Sequence, residues 1–269
     1  MRRRDVWQRA RMGKLRFFFW VPLLAVFFVA PAWGSGTERL VPILLYHRFG
    51  SVARDAMTVR TTVFEAQLGY LKSHGYQIVP LQEVVAYIRG LGPPPPPRSV
   101  VITADDGHRS VYTDLFPLVK RYHIPVTLFI YPSAISRAPY ALTWHELRIM
   151  HDSGLVDIQS HTYWHPNFRI EKKRLAPEAY EKFVTMQLEK SKTKLDKELG
   201  IKVDMLAWPF GLYDADLIKH AVAAGYIAAF TMERAPAGPA DNVMLLPRYL
   251  VMDQDMGKAL GRLLATSSR

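Results

Sequence analysis

Apolar residues cluster along this chain in short runs that lack the alternation of half-exposed strands. Residues 41–46, 99–103, 125–131, 156–160 and 203–208 form five such runs. Runs of this length and composition predict parallel strands buried on both faces. Between them the period lengthens. Phe64, Leu68 and Leu71 fall at i, i+4 and i+7, and Thr143 stands three residues before Glu146, the capping-box spacing, ahead of another helically periodic stretch. Residues 177–199 set Tyr180, Val184, Leu188 and Leu195 on one helical face with charges elsewhere. Residues 227–231 and 245–250 predict two late strands, and 256–265 a closing helix. Strand alternating with helix predicts an α/β domain with a parallel sheet. Seven or eight strands in a single domain favour a barrel over an open sheet, with chemistry on the loops at the strand C-termini. The five prolines at 93–97 cannot be helical; they predict a stiff, extended surface connection within the domain.

The first 34 residues follow a different pattern. Seven basic side chains precede residues 17–32, sixteen mostly apolar positions that would reach about 24 Å as a helix, short for a hydrocarbon core of about 30 Å. Ala30-Pro31-Ala32 supplies small residues in the A-x-A arrangement. Residues 1–34 are therefore expected to be a signal peptide or an N-terminal membrane anchor, and residues 35–269 a single domain outside the cytoplasm, in the periplasm or cell envelope. This segment also accounts for +6 of the formal net charge of +11. The remainder is spread thinly, and Glu171-Lys172-Lys173-Arg174 reads as a solvated loop, so no nucleic-acid partner is expected. With no cysteine in the 269 residues, any metal must be held by His, Asp or Glu.

Three clusters follow strand-like runs. Asp105 and Asp106 end the run at 99–103 and precede Gly107, which by itself could be an ordinary Asp-Gly turn. His161 and His165 follow the run at 156–160 and stand four apart, so that both imidazoles can face one cation. Two His and one carboxylate leave an open position for water, the arrangement of a catalytic zinc site, and free the second Asp to act as a base. Trp208-Pro209-Phe210-Gly211 closes the run at 203–208, either as a plain turn or as a constrained backbone whose N–H groups meet a developing oxyanion.

In this order, the three clusters resemble the motifs of the polysaccharide deacetylases with a NodB homology domain, carbohydrate esterase family 4. The resemblance runs roughly from residue 41 to 250. The start Ile43-Leu44-Leu45-Tyr46-His47-Arg48 is similar to the branch that deacetylates poly-N-acetylglucosamine. The resemblance implies a distorted (β/α)7 barrel and a divalent metal, most often Zn2+, on Asp106, His161 and His165. It implies Asp105 as the catalytic base, the backbone N–H of Phe210 as an oxyanion donor, and an N-acetylated polysaccharide as substrate, hydrolysed with release of acetate. Many members end in a Leu-x-His motif that supplies the general acid, whereas this chain reads Leu245-Leu246-Pro247-Arg248-Tyr249-Leu250. His47, or a water on the metal, is the expected substitute, and Arg248 a candidate orienter of Asp105. His220 lies on a helical pattern and is not expected to be the acid. Two rivals remain: an O-acetyl esterase on acetylated glycans, and a catalytically silent carbohydrate-binding protein of the same fold. Trp144, Tyr163, Trp164 and Trp208 could stack on sugar rings or fill the core.

Overall fold

A computed structural model describes residues 38–265. The export segment expected at 1–34 lies outside them. The chain begins with β1 (Ile43–Tyr46), the short parallel pair β2 (Arg48–Gly50) and β3 (Thr58–Arg60), α1 (Thr61–Ser73), β4 (Gln77–Ile78) and α2 (Leu81–Ile88). It continues through β5 (Ser99–Asp106), α3 (Phe116–Tyr122), β6 (Val126–Ile130), α4 (Trp144–Asp152), β7 (Val156–Ser160), α5 (Phe168–Arg174) and α6 (Pro177–Leu199). Then come β8 (Met205–Ala207), α7 (Ala215–Ala223), β9 (Ala228–Phe230), β10 (Tyr249–Leu250) and α8 (Lys258–Ala265).

Seven strands lie side by side in the order β10-β1-β5-β6-β7-β8-β9, all parallel, with β4 added on β5. The sheet curls until its edges are bridged by a single stretch of chain. The Leu246 N–H donates to the Ala229 carbonyl (2.8 Å), the Thr231 N–H donates to the Leu246 carbonyl (2.8 Å), and Tyr249 and Leu250 then pair with Leu44 and Leu45. This is the expected seven-stranded, distorted barrel, closed on one side by one bridge. The strand expected at 245–250 is correspondingly broken. Pro247 has no N–H to continue a ladder, so a helical turn at Val243–Leu245 gives way to a two-residue β10.

Alternate strand residues feed two cores. Val100, Ile102 and Ala104 of β5 join Leu68, Leu147, Val184 and Leu188 under the helices. Ile43, Val101, Phe129, Met205, Ala207 and Phe230 fill the concave side together with Leu81, Val84 and Val85 of α2. Strands that feed apolar residues to both sides must read as continuous apolar runs, as these do.

The expected helices form where their signals stand. Thr143 and Glu146 complete a capping box, with the Glu146 N–H donating to Thr143 Oγ1 (3.2 Å) and the Thr143 N–H donating to Glu146 Oε2 (2.7 Å). Helix α6 buries Tyr180, Val184, Leu188 and Leu195, and with them Gln187 and Ser191. Strand β8 is shorter than the run 203–208 because side chains capture the N–H groups ahead of it: Val203 donates to Asp196 Oδ1 (2.8 Å) and Asp204 to Gln159 Oε1 (3.0 Å). One expectation is corrected. Residues 171–174 form the last turns of α5 instead of a loop, because the Asn167 side chain accepts the Ile170 N–H and starts a helix there. The proline run at 93–97 is the surface connection between α2 and β5.

Candidate metal and catalytic site

Because the strands are parallel, β1, β5, β7 and β8 deliver His47, Asp105–Asp106, His161 and the Trp208–Gly211 turn to the same end of the barrel. The backbone there is held in an unusual state. Asp106, Thr162, His165 and Phe210 have φ of 77°, 63°, 63° and 57°, in the left-handed region that costs a non-glycine residue roughly 1 kcal/mol or more. Gly107 follows at φ 75°, and a Cβ there would lie 2.9 Å from Ile130 Cδ1. Strain of this kind persists where surrounding packing over-determines it, which is typical of working sites.

The two adjacent carboxylates have separate environments. Asp105 is 2% exposed and receives both ends of the Arg248 guanidinium, Nη1 to Oδ1 at 2.8 Å and Nη2 to Oδ2 at 2.7 Å. Burial works to raise its pKa, but the Arg248 guanidinium, through its charge and its hydrogen bonds, outweighs burial and holds it below the usual carboxylate range. Arg248 is itself fully buried, donating through Nε to the Thr231 carbonyl (3.0 Å) and lying 5.3 Å from the Phe129 ring centroid and 6.0 Å from that of Phe230. Asp106 turns the other way, towards the histidines. Its pKa is raised, first by burial and also by the Asp105 charge, against the opposing pull of His47.

His161 Nδ1 lies 2.8 Å from the Ala207 carbonyl, which can only accept, so Nδ1 carries the hydrogen and the Nε2 lone pair faces the site. Nε2 sits 3.7 Å from Asp106 Oδ1 and 3.8 Å from Asp105 Oδ2. Burial pushes the His161 pKa down to about 3, so the ring is neutral at physiological pH; burial lowers His165 as well. His165 Nε2 is 3.7 Å from the same Asp106 oxygen, and one ligand atom from each of Asp106, His161 and His165 falls within 4.8 Å of the others. Two neutral imidazoles and one carboxylate, converging in this way, suit a divalent cation with an open position.

Two further residues point into this end. His47 is partly buried, follows the β1 strand that pairs with β5, and its Nδ1 has no hydrogen-bond partner among the described residues. Phe210 packs its ring edge-on against His165 at 4.5 Å, and its turn is closed by the N–H groups of Gly211 and Leu212, which bond to Trp208 and Pro209, instead of by its own. His220 lies elsewhere, partnered with Thr185 on the outer helices. Of the aromatics, Trp208 is fully buried with Nε1 donating to the Met244 carbonyl (3.1 Å), Trp144 and Tyr163 are half-buried, and Trp164 is exposed.

The supporting residues had no motif to announce them. Gln187 accepts the Trp164 N–H (3.0 Å), Ser160 is held by Ser191 (2.8 Å) and Tyr226 (2.9 Å), and the Tyr131 ring lies 5.5 Å from that of His165. The one usable signal was a Gln on the apolar stripe of α6, a polar group that needs a buried partner.

A family model described as polysaccharide deacetylase matches residues 92–229. The chain is 30% identical over 200 residues to a poly-beta-1,6-N-acetyl-D-glucosamine N-deacetylase of Staphylococcus aureus, covering 73% of this chain and 68% of that protein. It is 32% identical over 208 residues to the like-named protein of Staphylococcus epidermidis, with 75% and 71% covered. Among solved structures, IcaB from Ammonifex degensii superposes with a TM-score of 0.74 at 26% identity, over 84% of this chain and 97% of that one. A Streptococcus pyogenes deacetylase, PplD, in complex with acetate reaches a TM-score of 0.75 at 24% identity, over 87% of this chain and all of that one.

Proposed function

The chain belongs to the polysaccharide deacetylase family and is a hydrolase of carbon–nitrogen bonds other than peptide bonds, and from that premise we propose that it removes N-acetyl groups from a poly-β-1,6-linked N-acetylglucosamine polymer. The observation that carries this reading is the convergence of Asp106, His161 and His165 within 4.8 Å, with the Asp105 carboxylate 3.8 Å from His161. The substrate is that named for the staphylococcal relatives. The same relatives support action outside the cytoplasm. No helix among the described residues is long and apolar enough to cross a membrane, and the segment read as signal peptide or anchor falls outside them.

Asp106, His161 and His165 would hold the divalent metal, for which zinc is our assignment on the strength of the two imidazoles. The metal would supply Lewis-acid polarisation of the acetamide carbonyl and a lowered pKa for the attacking water. Asp105 would take the proton of that water, and Arg248 keeps this carboxylate ionised and aimed. As the carbonyl oxygen gains charge, the Phe210 N–H would donate to it. Cleavage of the C–N bond must deliver a proton to the departing amine. In place of the Leu-x-His acid we assign this to His47, whose unpartnered imidazole nitrogen is beside the Asp pair. The products are acetate and a glucosamine unit.

Acetate release from β-1,6 and β-1,4 N-acetylglucosamine oligomers, as purified, after chelation and after adding zinc back, tests this reading. Release abolished by chelator and restored by zinc supports it. Turnover of acetylated xylan alone would point to the O-acetyl esterase, and no turnover of any of these to a silent binding protein. His47→Gln should keep stoichiometric metal and lose kcat; undiminished kcat removes the proton-donor assignment.

A further inference from the structure

Next to the site, the segments after β1, β5 and β6 enclose a second concavity of ≈ 460 Å³, whose walls include Arg48, Arg54, Asp55, His108, Ser110 and Tyr140. It adjoins the site by sequence and by contact. Arg48 follows His47, His108 stands two residues after Asp106, and the Tyr140 hydroxyl meets that of Tyr131 (3.1 Å), whose ring rests against His165.

The wall is preformed. His108 Nδ1 accepts the Ser110 N–H (3.2 Å) and meets the Ser110 hydroxyl (2.8 Å), which in turn accepts the Phe49 N–H (2.9 Å). With Nδ1 accepting, Nε2–H is the free donor of the neutral ring. Tyr140 is anchored by its carbonyl, which accepts the Arg109 N–H (2.8 Å), and its ring lies nearly parallel to His108, at 12°. Even so, the residue is 49% exposed. Arg48 is engaged by Asp55 at 2.6 Å, whereas Arg54 has no ion-pair partner among the described residues. One held aromatic plane with outward-pointing donors around it matches a pyranose, which offers one C–H face and a rim of oxygens. The charges around the wall make it a poor host for an apolar ligand.

We propose that this concavity is a glycan subsite that receives the sugar flanking the one being deacetylated, its C–H face on Tyr140 and its oxygens on Arg54 and His108. The proposal deepens the deacetylase reading and rests on it for the identity of the sugar. Binding energy gathered here, away from the reacting bond, makes a longer chain a better substrate than a single sugar.

The test compares the wild-type chain with Tyr140→Ala, Tyr140→Phe and Arg54→Gln. Acetate release is followed from N-acetylglucosamine oligomers of one to five units and from a small activated acetyl ester. In the wild type, kcat/KM rises with oligomer length. Tyr140→Ala should flatten that rise, costing about tenfold on the pentamer, equivalent to about 1.4 kcal/mol, while ester turnover is spared. Tyr140→Phe, which keeps the ring and loses only the contact to Tyr131, should restore the rise, and Arg54→Gln should weaken it. Equal losses on ester and pentamer in Tyr140→Ala would make Tyr140 a support for His165 and overturn the subsite, as would an unchanged length dependence. Calorimetric titration of the metal-depleted protein with the pentamer gives a readout free of turnover. About tenfold weaker binding by Tyr140→Ala is expected, and equal binding overturns the subsite. A wild-type chain that binds the pentamer through Tyr140 yet releases no acetate would uphold the subsite and overturn the deacetylase reading.

Discussion

Arg248→Met tests how the site is held together. In the folded chain the Asp105 carboxylate is 2% exposed and Arg248 fully buried, and two hydrogen bonds of 2.8 and 2.7 Å join them. Methionine roughly fills the space of the stem and leaves a buried carboxylate without its cation. Breaking such a pair from one side costs about 3–5 kcal/mol, far more than the pair's net worth, because the surviving charge stays desolvated. With a urea slope of about 2–3 kcal/mol/M, that is a fall of about 1–2.5 M in the unfolding midpoint. Arg248→Lys should fall between, since one ammonium cannot reproduce the fork that meets both oxygens. Asp105→Asn removes the charge instead, and in the double variant Asp105→Asn/Arg248→Met no buried charge remains. The double should therefore be more stable than the sum of the singles by about 2 kcal/mol or more. The assay is urea unfolding followed by tryptophan fluorescence, with chelator in every sample, so that metal linkage does not enter the difference. Additive losses, or an Arg248→Met cost below about 1 kcal/mol, would refute a buried, mutually dependent pair.

The remaining predictions bear on the metal, the backbone and the far end of the barrel. Asp106→Ala, His161→Ala and His165→Ala should each lose bound zinc by elemental analysis and lose acetate release, while Asp105→Asn should keep the zinc and lose the activity; zinc retained in any of the first three removes that residue as a ligand. Phe210→Ala keeps the backbone N–H and should stay within about tenfold of wild-type kcat, whereas a drop beyond about 100-fold would locate the contribution in the ring instead. Gly107→Ala meets both a φ of 75° and a 2.9 Å approach to Ile130, and should cost about 1–3 kcal/mol in a denaturant titration. Asp157, at the opposite end of β7, has its pKa pushed up to about 6, first by burial and further by Asp204, against the Gln159 amide. With the folded value above the unfolded one, the native state holds the extra proton between about pH 4 and 6, so this group's contribution falls as pH rises through that window. Asp157→Asn should flatten the fall and stabilise the chain at pH 7 by about 1–3 kcal/mol; an unchanged difference between pH 4.5 and 7 in paired melts rules this out.

The sequence by itself determined which side chains gather at one end of the barrel and which fold carries them. Each of the Asp pair, the His pair and the Trp208–Gly211 turn follows an apolar run, and parallel strands deliver whatever follows them to one end. Period and capping spacing likewise located α4 and α6, because local hydrogen bonds and one buried face decide where a helix begins and what it covers. Residues 171–174 are the converse: their charges are compatible with loop or helix, and the Asn167 cap decides between them.

Only the tertiary structure decided how the candidates divide. Asp105 and Asp106 are neighbours of one residue type, and nothing local separates their roles. Separation comes from Arg248, 143 positions further along, reaching one carboxylate, and from two histidines reaching the other. The tautomer of His161 depends on the Ala207 carbonyl, and the approach of His47 to the Asp pair on the pairing of β1 with β5. Gln187 matters through Trp164 on the loop after β7, and Tyr140 through Arg109 and His108 on the loop after β5, partners that no local pattern links to them. Periodicity records which face of an element is buried. It does not record which polar groups meet across the fold, and at this site charge, tautomer and burial are all set by those meetings.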